Sequence, residues 1–203
     1  MAYVLGFFAA DGSMILNKRG AAFIEFTTTD RILVEQVRRI VKSTHAIQVR
    51  DRGNEKWRVQ YRLQIGSKEW FEDLTKLGFS QKKSKTLLFP PVPKRFLVDF
   101  IRGYFDGDGC VYVRLCRLSQ SSSKVLVFSS LFTSGSEEFL RVLWDKLRKI
   151  GLKGGSLVKK NRGFELKFAR NDSVALYKNL YHTGQGQIAF LPRKRRKFEQ
   201  GLT

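Results

Sequence analysis

Residues 3–13 read YVLGFFAADGS and residues 101–110 read IRGYFDGDGC, and these two stretches decide the fold. Aligned on their glycines, Gly6 matches Gly103, Asp11 matches Asp108 and Gly12 matches Gly109, at a constant offset of 97. Such an internal repeat predicts two similar halves. Gly6 with Ala9 and Ala10, and Gly103 with Gly107, give each predicted helix a small-residue face, so two such helices can approach along their backbones. That approach is expected to bring Asp11 and Asp108 together at the helix ends. Two carboxylates there repel, and the negative ends of two helix dipoles add to the cost. A hard divalent cation removes the conflict, because carboxylate and main-chain carbonyl oxygens with water are the donors Mg²⁺ prefers.

The residues after each copy run in parallel as well. A strand-like run, a turn and a second run (22–27; 124–133) lead to a polar helix start, Thr29-Asp30 or Ser136-Glu137, with a hydroxyl N-cap expected at Thr29 and Ser136. Ile32, Leu33, Val37 and Ile40, and Phe139, Leu140, Leu143 and Leu147, supply the apolar stripes. Two more strand-like runs and a short helix, 68–77 or 172–181, complete each half. The segment FPPVP at 89–93 breaks regular structure. The expected fold is α+β: pseudo-twofold αββαββα halves, 1–88 and 96–203, joined by a proline-rich connector at 89–95.

Charge narrows the partner. Lys and Arg number 38 against 18 Asp and Glu, a formal net charge of +20, which points to a polyanion. The basic residues run through the whole chain and no apolar stretch reaches about 18 residues, so a membrane surface is not the expected partner. Residues 57–65 alternate, with Trp57, Val59, Tyr61, Leu63 and Ile65 set against Arg58, Gln60, Arg62 and Gln64. Gln48, Arg50 and Arg52 divide the preceding strand in the same way, while Arg114 and Lys167 are the candidates in the second half. Arg suits guanine and Gln suits adenine in the major groove, so these faces are read as DNA-binding.

Both motifs resemble the LAGLIDADG motif of homing endonucleases, with GFFAADG and GYFDGDG standing for its GLIDADG portion, and the likeness extends over almost the entire chain. The resemblance implies a monomeric, site-specific double-strand DNA endonuclease whose antiparallel sheets form a DNA-binding saddle. A long asymmetric target and short 3′ overhangs are implied with it. Asp11 and Asp108 are the implied catalytic and metal-binding acids, with main-chain donors at Ala10 and Gly107. The expected metal is Mg²⁺ or Mn²⁺, and Ca²⁺ is expected to occupy the sites without supporting cleavage. A lysine in each half is expected near the metal: Lys83 in QKKSKT and Lys194 in LPRKRRKF, with Lys82, Lys85, Arg193 and Arg195 within reach of either register. Intron RNA is a second partner the resemblance admits, so an RNA maturase or a non-cleaving DNA-binding regulator is the alternative function.

The first motif departs from the family pattern at Ala9, where the second has Asp106, and this predicts two active sites with unequal surroundings. As a calcium loop, residues 106–109 fail, because Cys110 stands where a third ligand belongs and Arg117 where the bidentate Glu should be. No phosphate-binding glycine loop occurs, and His45 and His182 are the only histidines. Cys110 and Cys116 lack a nearby Cys/His pair, so reduced, intracellular life is expected. No targeting peptide is read, and the chain starts almost inside the first helix, which suggests a short or trimmed leader.

Overall fold

The ten residues that open the first motif are apolar on every side and form α1 (Ala2–Asp11), which buries Tyr3, Val4, Phe7, Phe8 and Ala9. A helix without a polar face belongs inside a core. Residues 1–51, 53, 58–81, 83–117, 124–181 and 189–202 are those the computed structural model describes. They form two compact units, Met1–Gly107 and Asp108–Thr203.

In the first unit, α1 is succeeded by β1 (Gly12–Leu16), β2 (Ala22–Thr28), α2 (Arg31–Ile40), β3 (Ile47–Arg50), β4 (Gln60–Gly66) and α3 (Lys68–Lys76). After α3 come two single-turn 3₁₀ helices, Lys83–Lys85 and Lys94–Phe96, and then α4 (Leu97–Asp108). The strands form one antiparallel sheet in the order β1-β2-β4-β3. Its central strands alternate: Ile24, Phe26, Leu63 and Ile65 are buried toward the helices, while Glu25, Arg62 and Gln64 point to the open face. Phe26 stacks on Phe7 at 5.8 Å and meets Phe8 edge-on at 5.7 Å, which ties α1 to the sheet.

Within the same unit, α1 and α4 touch backbone to backbone. A Cβ added at Gly6 would land on the carbonyl oxygen of Phe100, and one added at Gly103 on the carbonyl oxygen of Tyr3. No rotamer change relieves such a clash, because the obstacle is main chain on both sides.

The second unit repeats the pattern with β5 (Gly109–Arg117), β6 (Lys124–Ser134), α5 (Glu137–Arg148), β7 (Ser156–Lys160), β8 (Gly163–Phe168) and α6 (Arg170–Tyr181). Its sheet order, β5-β6-β8-β7, is that of the first unit. The α+β class and the antiparallel sheet of each half are as the sequence leads one to expect. An added element is α7 (Pro192–Leu202), formed by the basic run that sequence alone leaves as a cluster or tail. Phe198 is wholly buried there, against Phe128 at 6.1 Å and Tyr177 and Tyr181 at 5.7 Å each. One aromatic ring among many charges gives almost no periodic signal, yet it docks the helix.

Two local expectations are corrected. The buried stripe of α2 is Leu33, Val34 and Val37, with Ile32 left exposed. Its N-cap is Asp30 rather than Thr29, and the Thr28 hydroxyl accepts from the Asp30 N–H at 3.2 Å. In the other half Ser136 caps α5 as expected, accepting from the Phe139 N–H at 3.2 Å. Val49, although on the helix-side face, is 62% exposed on the edge strand β3. Gly103→Ala is expected to cost at least about 3 kcal/mol, the upper range for an overpacked core. Gly66→Ala, whose Cβ would meet only Phe23 at 3.7 Å, is expected to change little. Thermal or urea melts of the two variants check this, and equal stability would refute the backbone contact.

Candidate acidic sites and nucleic-acid interface

Asp11 is the last residue of α1 and is half-buried. Its surroundings are built by absence of side chains: a Cβ on Gly107 would lie 3.4 Å from Asp11 Oδ2 and strike the Ala10 side chain. Lys83 is only 7% exposed, and its Nζ donates to the Ala9 carbonyl oxygen at 3.0 Å, with the Phe8 ring 5.5 Å away. The ammonium thus sits at the C-terminal end of α1, where the helix presents its negative pole. Of the residues read as its alternatives, Lys85 is exposed and Lys82 lies outside the described residues.

Asp108 ends α4 and is also half-buried. Its main-chain oxygen accepts a hydrogen bond from Thr133 Oγ1 at 2.9 Å. It lines a cleft of about 260 Å³ with Thr133, Ser134, Lys160, Arg162 and Glu165. Gly163, at φ +152°, lets the β7–β8 turn close on this cleft, since a Cβ there would hit the Ser134 carbonyl. Lys194 in α7 is 5% exposed, which makes it a second buried lysine. Arg193 and Arg195 flank it, and Arg195 pairs with Glu199 at 3.0 Å.

Among the described residues no group of three or more His, Cys, Asp or Glu could hold a metal. A cation at Asp11 or Asp108 therefore draws on few carboxylates, main-chain oxygens and water, a donor set that fits Mg²⁺ or Mn²⁺ rather than zinc. Asp106 has a different part. It is 1% exposed, and Oδ2 accepts from the Tyr3 hydroxyl at 2.8 Å. The Ala9/Asp106 difference thus puts a buried carboxylate into the contact of α1 with α4. A buried carboxylate needs such partners.

The open faces carry most of the residues read as DNA-binding. Gln48 lies opposite Arg62 and Arg50 opposite Gln60 on neighbouring strands. Gln48 and Arg50 are exposed, as is Arg58 just ahead of β4. Arg62 and Gln64 are already engaged: Arg62 Nε donates to Glu25 Oε2 at 2.6 Å and Gln64 Nε2 to the same oxygen at 3.3 Å. In the second unit Arg114 is exposed and Lys167 pairs with Glu165 at 3.0 Å. Arg52 and Trp57 lie outside the described residues. On the same face Cys110, by its charge and hydrogen bonding, holds the Tyr112 phenol above its ordinary range.

Sequence reasoning missed Glu25, which alternates with Ile24 and Phe26 and could have been found by the parity that selected Arg62. It also missed Lys160 and Arg162, which sit at a strand end and in a turn and obey no period.

A model of the LAGLIDADG-like domain matches residues 1–77 and again 95–174. The chain belongs to this family. Solved structures share its fold: a mutant of I-SmaMI aligns with a TM-score of 0.67 at 12% identity, covering 99% of this chain and 89% of that one. The LAGLIDADG meganuclease I-AabMI, bound to uncleaved DNA, gives 0.63 at 15% identity over 98% and 88%. The I-LtrWI LAGLIDADG homing endonuclease, bound to target DNA, gives 0.64 at 13% over 99% and 87%. No curated protein matches the sequence. Among the described residues no helix is long and apolar enough to cross a membrane.

Tyr3→Phe leaves the buried Asp106 carboxylate short of a donor and is expected to cost about 1–3 kcal/mol. A urea titration checks it, and an unchanged midpoint would show that the hydroxyl is dispensable.

Proposed function

We propose that the protein is a site-specific DNA endonuclease that cuts both strands of a long, asymmetric duplex and leaves short 3′ overhangs. The observation that carries this reading is the repeat itself. In this LAGLIDADG-family chain each motif helix, α1 and α4, ends in an acid and runs on into a sheet whose open face bears Arg, Gln or Lys. Solved proteins of the same fold are homing endonucleases, one of them, I-SmaMI, bound to cleaved DNA. The proposed halves are 1–88 and 96–203 with a connector at 89–95, acting as a monomer, each half contacting half of the target.

In this reading Asp11 and Asp108, with main-chain oxygens of Ala10 and Gly107, hold divalent cations. When bound, such a cation lowers the pKa of an attacking water and stabilises the leaving oxygen. Lys83 and Lys194, buried ammonium groups, offset charge that develops on the phosphate. Lys160 and Arg162 beside Asp108 supply further phosphate contacts. The strands position the duplex through Arg50, Arg58 and Arg114 and read base edges with Gln48, Gln60, Gln64 and Lys167.

Incubation with a duplex library and Mg²⁺ is expected to yield one major cut site. Asp11→Asn and Asp108→Asn should each abolish double-strand cutting, and undiminished cutting by both removes these acids from the chemistry. Lys83→Met, if its melting curve shows it folded, should slow cleavage on the order of 10²-fold with DNA affinity nearly unchanged. Glu25→Ala frees Arg62 for phosphate, so binding to mixed-sequence duplex should tighten and its salt slope grow by about one. An unaltered slope in a salt titration would mean that Arg62 contributes equally with Glu25 in place.

A further inference from the structure

The registers of the two sheets allow a position-by-position comparison of their open faces. Gly12 pairs with Phe26 as Gly109 pairs with Phe132, so Glu25 and Leu131 are equivalent, as are Gln64 and Lys167. By the same register Arg62 corresponds to Glu165 and Gln48 to Val158. The faces are chemically unlike. On the first unit's open face the large apolar side chains of β1 and β2 are Ile15 and Phe23, which stand opposite each other and are only half-exposed, while Leu16 and Val49 have helix-side parity. On the second unit's open face Tyr112 is 53% exposed, Val125 44%, Val127 43% and Val158 37%. Val127 stands directly opposite the exposed Arg114, and Tyr112 opposite Ser129.

Exposed apolar groups in a row on a strongly basic protein mark a contact surface. Arg114 beside Val127, and Lys160 and Lys167 on the neighbouring strands, give that surface the charge to hold a polyanion. Valine side chains and tyrosine rings cannot read donors and acceptors as Arg and Gln do. The apolar feature a duplex offers in its major groove is the thymine 5-methyl group. Resting on the DNA-cutting reading above, we infer that the second unit recognises its half of the target through thymine methyls, contacted by Tyr112, Val125, Val127 and Val158. The first unit, whose open-face positions 48, 60, 62 and 64 are all Gln or Arg, reads mainly hydrogen-bonding edges.

The test compares two randomised duplex libraries, one with thymine and one with deoxyuridine in its place, selected by cleavage with the full-length protein. Uracil keeps the pairing and loses only the methyl. From the thymine library, one half of the recovered site should be enriched in thymine. Replacing those thymines by uracil in that site should weaken binding roughly three- to four-fold per methyl, and replacement in the other half should not. Val125→Ser/Val127→Ser, at exposed positions that leave the core intact, should shrink the difference between the thymine and uracil sites, leaving only the share owed to Tyr112 and Val158. A single recovered site whose uracil version binds equally well in both halves overturns the methyl reading and leaves the endonuclease reading standing. Recovery of no specific site from either library overturns both.

Discussion

The contact of α1 with α4 is a constraint on the main chain. At Gly6 and Gly103 each helix receives a carbonyl oxygen of the other where a side chain would stand, so both positions admit glycine alone. This fixes more than two residues. With the backbones so close, Phe7 and Phe8 must turn outward onto the sheet, where Phe26 receives them. The Tyr3 hydroxyl is then held against Asp106, and Gly107 against Asp11. The carboxylate at the end of α1 therefore owes its position to packing that begins two turns earlier.

The same scaffold carries two different surfaces. Identical sheet orders and matching registers put an Arg–Glu pair on one open face, Arg62 with Glu25, and a Lys–Glu pair on the other, Lys167 with Glu165. The acid, however, has moved from β2 to β8. Strand parity fixes which positions face outward, and the side chains there are free to differ because none of them supports the core.

Much of this was legible in the sequence. The glycine offset identified the halves, and alternation separated Leu63 and Ile65 from Arg62 and Gln64. Periodicity failed where tertiary packing decides. Ile32 and Val34 are nearly equivalent in composition, and only the sheet beneath α2 chooses Val34. In α7 a single Phe198 among basic residues outweighs its charged neighbours, because the ring fills a cavity formed by Phe128, Tyr177 and Tyr181, which lie at least 17 positions away. Asp106 stood out in the sequence only as the counterpart of Ala9. Its burial depends on Tyr3, more than a hundred residues distant.

The helix α4 does not respect the repeat. Its residues up to Gly107 are compact with the first unit, and Asp108 opens the second. Anyone building hybrid proteins by exchanging halves would inherit that overlap. A transplanted second half beginning ahead of α4 brings its own Phe100 carbonyl and its own Gly103, which must match the host's Tyr3 and Gly6 atom for atom. A junction within the strand after Asp108 leaves that pair undisturbed, and recombination there exchanges the whole second sheet without reopening the packing that aligns the first acid.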